Sequence, residues 1–412
     1  MKQILCMMLC LLFLSGCAFV PSASETRITA STIVPSEYIP PQTTAPEETT
    51  HPAETVQPKD PTIPKETEPA ISVFHPTSIV ASMTWEEKIG QLFLAACPGA
   101  NALHDLQRYH LGGYLLFGSD FDGQTPESIT KIIASWQNAS PIPMLVAVDE
   151  EGGSVCRVSS HSAFRNKRFS SPRSLYDKGG MDLVLATEEE KCQLLASLGI
   201  NVNMAPVCDI TTDKAAFMYS RSLGESPEIT GSFISQTVQI MDAYSIGSVL
   251  KHFPGYGNNS DTHTGIAVDK RDLEALKQND LIPFLAGIEA GCGAILVSHT
   301  IVECMDSEFP ASLSPAVHQF LREEMGFKGV IVTDDLTMDA ITDLYGSGEA
   351  AVLAVLAGND LICTFDYRTQ YKAVLEAAQN GRIPEDLIDR AVCRILQWKY
   401  DLGILGETIN YT

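Results

Sequence analysis

The chain has 412 residues, a hydrophobic fraction of 45% and a formal net charge of −23 at pH 7. A chain of this length and composition can bury one large core and still carry extensions. Its strong negative charge repels polyanions at long range, which argues against nucleic acid as a partner.

The chain opens on a short hydrophobic segment. Lys2 precedes an apolar run over residues 4–14, which is shorter than the roughly 20 residues of a membrane-spanning helix and is typical of a secretory signal. The run ends in Leu-Ser-Gly-Cys at 14–17, which resembles the lipobox of bacterial lipoproteins. That resemblance implies cleavage before Cys17 and lipid attachment to its sulfur, which would anchor the protein to the cell membrane outside the cytoplasm. An ordinary signal peptide cleaved nearby is the alternative.

Residues 18–76 form a second segment of different composition. They hold 11 of the 23 prolines and many Thr and Glu, with little hydrophobic pattern. Such a segment cannot bury enough apolar surface to fold. We therefore predict a signal peptide at 1–17, a disordered linker at 18–76 and a folded domain at 77–412.

The cysteines give no sign of a metal site. Eleven occur, eight of them after Cys17. None forms a Cys-x-x-Cys pair, and no Cys/His group has the spacing of a zinc site. We expect no metal ion, no cofactor and no required disulfide.

Eight short apolar runs organise the predicted domain. A helix is expected to begin near Thr84, which precedes a Glu-rich first turn. The runs are 91–97, 113–117, 143–149, 201–207, 248–253, 294–300, 329–334 and 360–364. Helix-like stretches separate most of them, which predicts a parallel sheet, and eight repeats predict a closed (β/α)8 TIM barrel. An open doubly wound sheet is the alternative, although no Gly-x-Gly-x-x-Gly follows the first strand.

Several predicted strands end in ionisable residues. These are Asp149, Asp209, Lys251, His252, His299, Asp334 and Asp335. Functional groups gather at the carboxyl ends of the strands in such a barrel, and this mixture suits an uncharged, polyhydroxylated ligand such as a sugar. Few aromatic residues are expected near them apart from Phe253 and Tyr256.

The segment 251–263 reads as a loop that carries a second chemical signal. Asp261 and His263 are two residues apart, so an extended backbone places both on one side. The carboxylate can then hold one ring nitrogen while the other faces a substrate. An Asp-x-His sequence alone is usually an ordinary surface feature. Combined with the strand-end carboxylates, it predicts a catalytic pair.

These segments together resemble glycoside hydrolase family 3, and within it the β-N-acetylglucosaminidase branch. The resemblance covers nearly all of residues 80–405. Its main markers are Lys-His-Phe-Pro-Gly at 251–255 with the trailing Asp-x-His, Val-Asp-Glu-Glu-Gly-Gly at 148–153 and Thr-Asp-Asp-Leu-Thr-Met at 333–338.

The resemblance implies a retaining mechanism on a (β/α)8 barrel. Asp334 matches the nucleophile that forms a covalent glycosyl-enzyme. His263 matches the general acid/base, oriented by Asp261, and an imidazole with an ordinary pKa of about 6.5 suits that role near neutral pH. The family's sugar-binding positions fall on Asp149, Arg157, Arg221, Lys251 and His252.

The leading hypothesis is a monomeric, lipid-anchored exo-β-N-acetylglucosaminidase that removes terminal N-acetylglucosamine from peptidoglycan- or chitin-derived glycans. A β-glucosidase, a xylosidase or a phosphate-using relative of the same fold is an alternative. A lipid-anchored protein that binds sugars without hydrolysing them is another. Residue physics alone does not choose between Asp334 and its neighbour Asp335 as the attacking group; the resemblance favours Asp334.

Overall fold

A computed structural model describes residues 74–257 and 265–406. Within these ranges, eight parallel strands form the central sheet. They are β1 (Phe93–Ala96), β2 (Gly113–Leu116), β3 (Leu145–Val148), β4 (Val202–Asn203), β5 (Gly247–Phe253), β6 (Ala294–Val297), β7 (Val330–Thr333) and β8 (Ile362–Thr364). Every residue of these strands is buried, which explains why each reads as a continuous apolar run rather than an alternating one.

The sheet closes into a barrel. The hydrogen-bonded order is β7-β6-β5-β4-β3-β2-β1-β8, and β8 pairs with β1 where Ile362 lies opposite Phe93. Leu361, just before β8, bridges in parallel to Val332 of β7. The predicted (β/α)8 barrel is therefore confirmed, and the open sheet is excluded.

Helices connect the strands. They are α1 (Pro76–Val80), α2 (Trp85–Gln91), α3 (Ala102–Tyr109), α4 (Pro126–Ala139), α5 (Pro172–Leu198), α6 (Pro227–Ala243), α7 (Leu273–Gln278), α8 (Leu281–Glu289), α9 (Pro315–Gln319), α10 (Asp339–Tyr345), α11 (Ser347–Ala357), α12 (Tyr367–Gln379) and α13 (Glu385–Asp401). The helix expected near Thr84 is α2, which begins with a full capping box between Thr84 and Glu87. Gln91, predicted to open the first strand, instead ends this helix, and its side chain donates to the carbonyl of His110 at 2.9 Å.

The two ends of the barrel differ in how they are filled. At the amino-terminal end, which we call the floor, Trp398 of α13 lies so close to Gly293 that a Cβ there would be 2.0 Å from the indole nitrogen. At the carboxyl-terminal end, which we call the mouth, the strands run into loops that carry polar residues.

The described chain begins at the floor. Phe74 stacks on Tyr400 of α13 with ring centroids 4.3 Å apart, and Pro76 lines a floor cavity of about 580 Å³ together with Gly247, the first residue of β5. Cys17 and residues 18–73 of the predicted linker lie outside the described residues. Among the described residues, packing against the barrel already includes Phe74, three positions before the predicted boundary at residue 77.

None of the described helices is, by itself, long and apolar enough to cross a membrane. By length and composition alone, α10 and α11 meet that requirement as a pair, with a bend of 102° between them.

Candidate active site

Three charged residues converge at the mouth from different strands. Asp149 directly follows β3, Lys251 lies near the carboxyl end of β5, and Asp334 directly follows β7. Burial raises the pKa of the Cys363 thiol on β8, the charges of Asp335, Asp334 and Asp149 raise it further, and the charge of Lys251 lowers it. The three charged residues therefore lie around the same end of β8, with Asp335 beside them.

A buried ion network forms the base of this site. Lys251 Nζ lies 2.6 Å from Asp149 Oδ1 and 2.7 Å from Glu151 Oε1. Arg221 also donates to Glu151, through Nη2 to the same Oε1 at 2.6 Å and through Nε to Oε2 at 2.9 Å. Glu151 thus joins a lysine from β5 to an arginine from the loop after β4.

The network fixes the charge state of its members. Burial alone would raise the pKa of Glu151, but Arg221 and Lys251 outweigh it and hold that pKa far below its ordinary value. Burial alone would lower the pKa of Lys251, but Asp149 and Glu151 raise it above the ordinary value. Glu151 therefore stays ionised and Lys251 stays protonated.

His252 is held in one orientation by Asp209. Its Nδ1 lies 2.8 Å from Asp209 Oδ2, and its backbone N–H donates to the same oxygen at 3.1 Å. Asp209 Oδ1 accepts from the backbone N–H of Tyr256 at 2.8 Å. Arg221 Nη2 lies 3.3 Å from His252 Nε2, and since arginine only donates, this contact assigns the ring proton to Nδ1.

Arg157 reaches the site from a loop that Glu150 organises. The buried carboxylate of Glu150 accepts from the backbone N–H groups of Arg157 at 2.9 Å and Val158 at 2.8 Å, and from that of Ser159 at 3.2 Å. Arg157 Nη2 then lies 3.9 Å from Asp149 Oδ2. Its side chain is 30% exposed, so the guanidinium keeps donor capacity for a ligand.

Asp334 and Asp335 are distinguished by their surroundings. Asp334 is partly exposed, and its Oδ1 accepts the backbone N–H of Asp335 at 2.9 Å. The carboxylate of Asp335 instead folds back on its own turn, accepting from Thr337 N at 3.0 Å and Thr337 Oγ1 at 2.7 Å. Burial raises the pKa of Asp335, and Thr337 only partly offsets this.

His299, another strand-end residue, supports the same turn. One ring nitrogen lies 2.7 Å from Ser312 Oγ and the other 2.9 Å from the carbonyl of Asp335. Its side chain is completely buried. These contacts give His299 a role in holding the segment after β7.

The loop after β5 is described only at its two ends. Asp261 and His263 lie outside the described residues. At the near end, Arg271 donates to the carbonyl of Gly255 at 3.3 Å and to Asp280 Oδ2 at 2.6 Å. Gly255 has a φ of 117°, and a Cβ there would lie 2.5 Å from Asp280 Oδ1. Only glycine fits between the loop and this Arg271–Asp280 pair.

Of the two aromatic residues expected near the site, Phe253 and Tyr256, only Tyr256 lies there. Phe253 is fully buried and packs edge-to-face on Phe284 of α8, with centroids 5.2 Å apart, so it faces the core. Tyr256 does lie at the site, where its ring meets the His252 imidazole edge-on at 5.3 Å.

The structure brings Asp149, Arg157, Arg221, Lys251, His252 and Asp334 to the same end of the barrel. Sequence reasoning missed the two glutamates that hold them, Glu150 and Glu151. The available signal was an acidic run directly after a buried strand, at residues 149–151.

Comparison with known proteins gives one consistent family. The profile described as "Glycosyl hydrolase family 3 N terminal domain" matches residues 84–398. A β-hexosaminidase of Xanthomonas oryzae pv. oryzae is 34% identical over 268 residues, which is 62% of this chain and 77% of the relative. A β-hexosaminidase of Stenotrophomonas maltophilia is 35% identical over 269 residues, again 62% and 77%.

Solved structures agree with the sequence comparisons. The family 3 β-N-acetylglucosaminidase from Paenibacillus sp. str. FPU-7 superposes with a TM-score of 0.74 at 30% identity, and covers 80% of this chain. This chain spans 65% of that longer protein. A family 3 glycosyl hydrolase from Mycobacterium smegmatis superposes with a TM-score of 0.71 at 29% identity, over 77% of this chain and 98% of that one.

Proposed function

The chain belongs to glycosyl hydrolase family 3, and we propose that it is a retaining exo-β-N-acetylglucosaminidase that releases terminal N-acetylglucosamine from peptidoglycan- or chitin-derived glycans. The observation that carries the proposal is the partly exposed carboxylate of Asp334 at the same end of the barrel as the part-buried pair Asp149–Lys251. A nucleophile and a set of hydroxyl-binding charges are thereby available to one sugar ring.

In the first step, Asp334 attacks the anomeric carbon of the terminal sugar. The bond from that carbon to the glycosidic oxygen breaks, and His263, oriented by Asp261, gives its proton to the departing oxygen. In the second step, water attacks the anomeric carbon and gives a proton back to His263. The carboxylate of Asp334 is released, and the sugar keeps its original anomeric configuration.

The sugar's hydroxyls are the natural partners of the charged network. Asp149 accepts hydrogen bonds, while Lys251, Arg221 and Arg157 only donate them. Since Lys251 and Arg221 are already held by Glu151 before substrate arrives, little reorganisation is needed during the reaction. His252 Nδ1 is held by Asp209, so its Nε2 edge is presented in a single orientation.

Two alternatives remain distinguishable by experiment. A β-glucosidase or xylosidase of the same fold would hydrolyse glucosides or xylosides faster than N-acetylglucosaminides. A phosphate-using enzyme would be accelerated by added phosphate and would yield a sugar phosphate. A sugar-binding protein without turnover is disfavoured by the hydrolase family and by the closed barrel.

The decisive test compares Asp334→Ala with Asp335→Asn on an aryl N-acetyl-β-glucosaminide. We expect Asp334→Ala to lower kcat by a factor on the order of 10⁴ or more, with an unchanged thermal unfolding curve. Asp335→Asn should keep most activity, because its carboxylate bonds its own turn. A 2-fluoro sugar should leave a covalent adduct on Asp334 that mass spectrometry can locate. Full activity in Asp334→Ala, or an adduct on another residue, refutes the proposal.

We also propose that Cys17 is lipidated, that the protein is a monomer and that it is tethered outside the cytoplasmic membrane. Expression of the full chain in a bacterium should place it in the detergent phase after phase separation, and Cys17→Ser should move it to the aqueous phase. Equal partitioning of both would exclude the anchor. Light scattering on the detergent-solubilised protein tests the monomer.

A further inference from the structure

One large aromatic side chain stands out at the mouth. Phe365 directly follows β8 and is 53% exposed. Among the described residues, it is the sole aromatic in the set of large, exposed apolar side chains. Because single exposed apolar side chains are common on protein surfaces, the neighbours of this ring decide whether it belongs to a binding site.

Phe365 does not stand alone. Phe117, which directly follows β2, packs against it with ring centroids 4.8 Å apart and an angle of 37° between the ring planes. The guanidinium of Arg157 lies 5.7 Å from the centroid of Phe117, and the same Arg157 lies 3.9 Å from Asp149. A continuous row of side chains therefore runs from the charged base of the site to its aromatic rim.

The backbone under both rings is fixed by side chains. The N–H of Phe117 donates to Asp120 Oδ2 at 2.8 Å. Asp366, next to Phe365, accepts from Ser347 Oγ at 2.7 Å and from Thr369 Oγ1 at 2.8 Å. The aromatic pair is therefore positioned before a ligand arrives, which lowers the entropy lost on binding.

We propose that Phe117 and Phe365 form a subsite for the sugar on the leaving-group side of the scissile bond. A β-linked pyranose carries its hydroxyls around its edge and C–H groups on its faces, and such a face packs well on an exposed aromatic ring. The charged residues at the base bind the terminal sugar, so the aromatic rim receives the next one. This inference rests on the proposed function.

The subsite predicts that the enzyme prefers a substrate whose leaving group is a second sugar. The test measures kcat/KM on N,N′-diacetylchitobiose, which has a second sugar, and on methyl N-acetyl-β-glucosaminide, which has none. In Phe365→Ala, we expect the ratio of the two values to fall about tenfold, the equivalent of part of a buried aromatic contact. Phe365→Trp should retain the ratio, and Phe365→Leu, which keeps apolar bulk without a ring face, should lose most of it.

Leu285→Ala is the matched control, since Leu285 is an exposed apolar residue on the outer helix α8, and it should leave the ratio unchanged. Equal losses on both substrates in Phe365→Ala, or an unchanged ratio, overturn the subsite while leaving the proposed function intact. Absence of hydrolysis of either substrate by the wild type refutes the proposed function, and the subsite with it. Thermal unfolding of each variant verifies that it is folded.

Discussion

Each end of the barrel buries a lysine, and the surroundings shift the pKa values of these two lysines in opposite directions. At the mouth, Lys251 is bonded by Asp149 and Glu151, and its pKa is raised. At the floor, the fully buried Lys399 donates to a neutral group, Gln91 Oε1, at 2.7 Å, and burial lowers its pKa to about 7. Burial of a charged residue therefore does not by itself mark an active site.

What marks the mouth is the combination of paired charges with access to a ligand. Asp149, which bonds Lys251, remains 16% exposed in its side chain, and Arg157 at 30% is more open still. At the floor, the buried carboxylate of Asp360 is shared between Arg322 and Arg394, which braces the helices around it. The two carboxylates carry the difference: Asp149 stays reachable and is available for recognition, whereas Asp360, only 1% exposed, is enclosed and serves the fold.

The largest effect is expected from removing the negative charge of Glu151, which pairs with Arg221 and Lys251 at the mouth. Glu151→Gln keeps the shape of the side chain but leaves Arg221 and Lys251 with too little negative charge between them. We expect kcat/KM to fall by at least about 100-fold, because both cations that we propose to bind the sugar shift, and the free energy of unfolding to drop by roughly 3–5 kcal/mol. Steady-state kinetics and denaturant unfolding measure both.

Glu190→Gln is the control for this change, since Glu190 pairs with Arg165 at the surface and is 53% exposed. Surface pairs of this kind contribute little, so both measurements should match the wild type. If Glu151→Gln behaves like Glu190→Gln, the mouth network is not essential for binding.

A smaller effect is expected where the loop after β5 leaves the barrel. Lysine cannot reproduce the fork with which Arg271 bonds Asp269, Asp280 and the carbonyl of Gly255. Arg271→Lys should lower kcat about tenfold, the equivalent of one lost charged hydrogen bond, while KM changes less.

Arg382→Lys alters a surface arginine paired with Glu349, both more than 40% exposed, and should change neither constant. An unchanged kcat in Arg271→Lys would show that the bonds of Arg271 at the base of the loop do not influence catalysis. A loss that appears only in thermal stability would give Arg271 a purely structural role.

The smallest effect on activity, and a gain in stability, is expected at the floor. In the unfolded chain Lys399 has a pKa near 10.5, and in the fold about 7. The unfolded state therefore binds more protons between these values, so this lysine makes stability rise with pH from 7 to 10.5 and imposes its full penalty below pH 7. Lys399→Met should raise the free energy of unfolding at pH 7 by about 1–3 kcal/mol.

The pH dependence makes this prediction specific. The advantage of Lys399→Met over the wild type should shrink as pH rises toward 10, while activity stays unchanged. The exposed Lys131 on α4 provides the control Lys131→Met, whose difference from the wild type should not vary with pH. An advantage for Lys399→Met that is constant with pH would mean that the floor lysine is not desolvated as described.

The barrel was predictable because its strands are buried on both faces. Each reads as a short apolar run, and Asp334 stands out because a charge directly follows one of them. The same reasoning failed for Phe253, since the register between β5 and β6 shifts between Leu250 and Phe253, and the alternation of faces does not continue across such an irregularity.

Other parts of the site could not be read from local sequence. Glu151 meets Arg221 across 70 positions of chain, and nothing in the acidic run at 149–151 indicates which member makes that contact. Phe365 and Phe117 meet only because β8 and β2 flank β1. The exposure of a side chain and its contacts with distant residues depend on the closed barrel. They are defined only when all eight strands are assembled.

The position of Phe74 on Tyr400 has a practical consequence. The polypeptide joins the domain beneath the barrel, on the side away from Asp334. Coupling the protein to a bead or sensor chip through an attachment upstream of Phe74 should therefore leave the catalytic opening directed toward the bulk liquid, whereas attachment through the loops that follow β2 or β8 should block it.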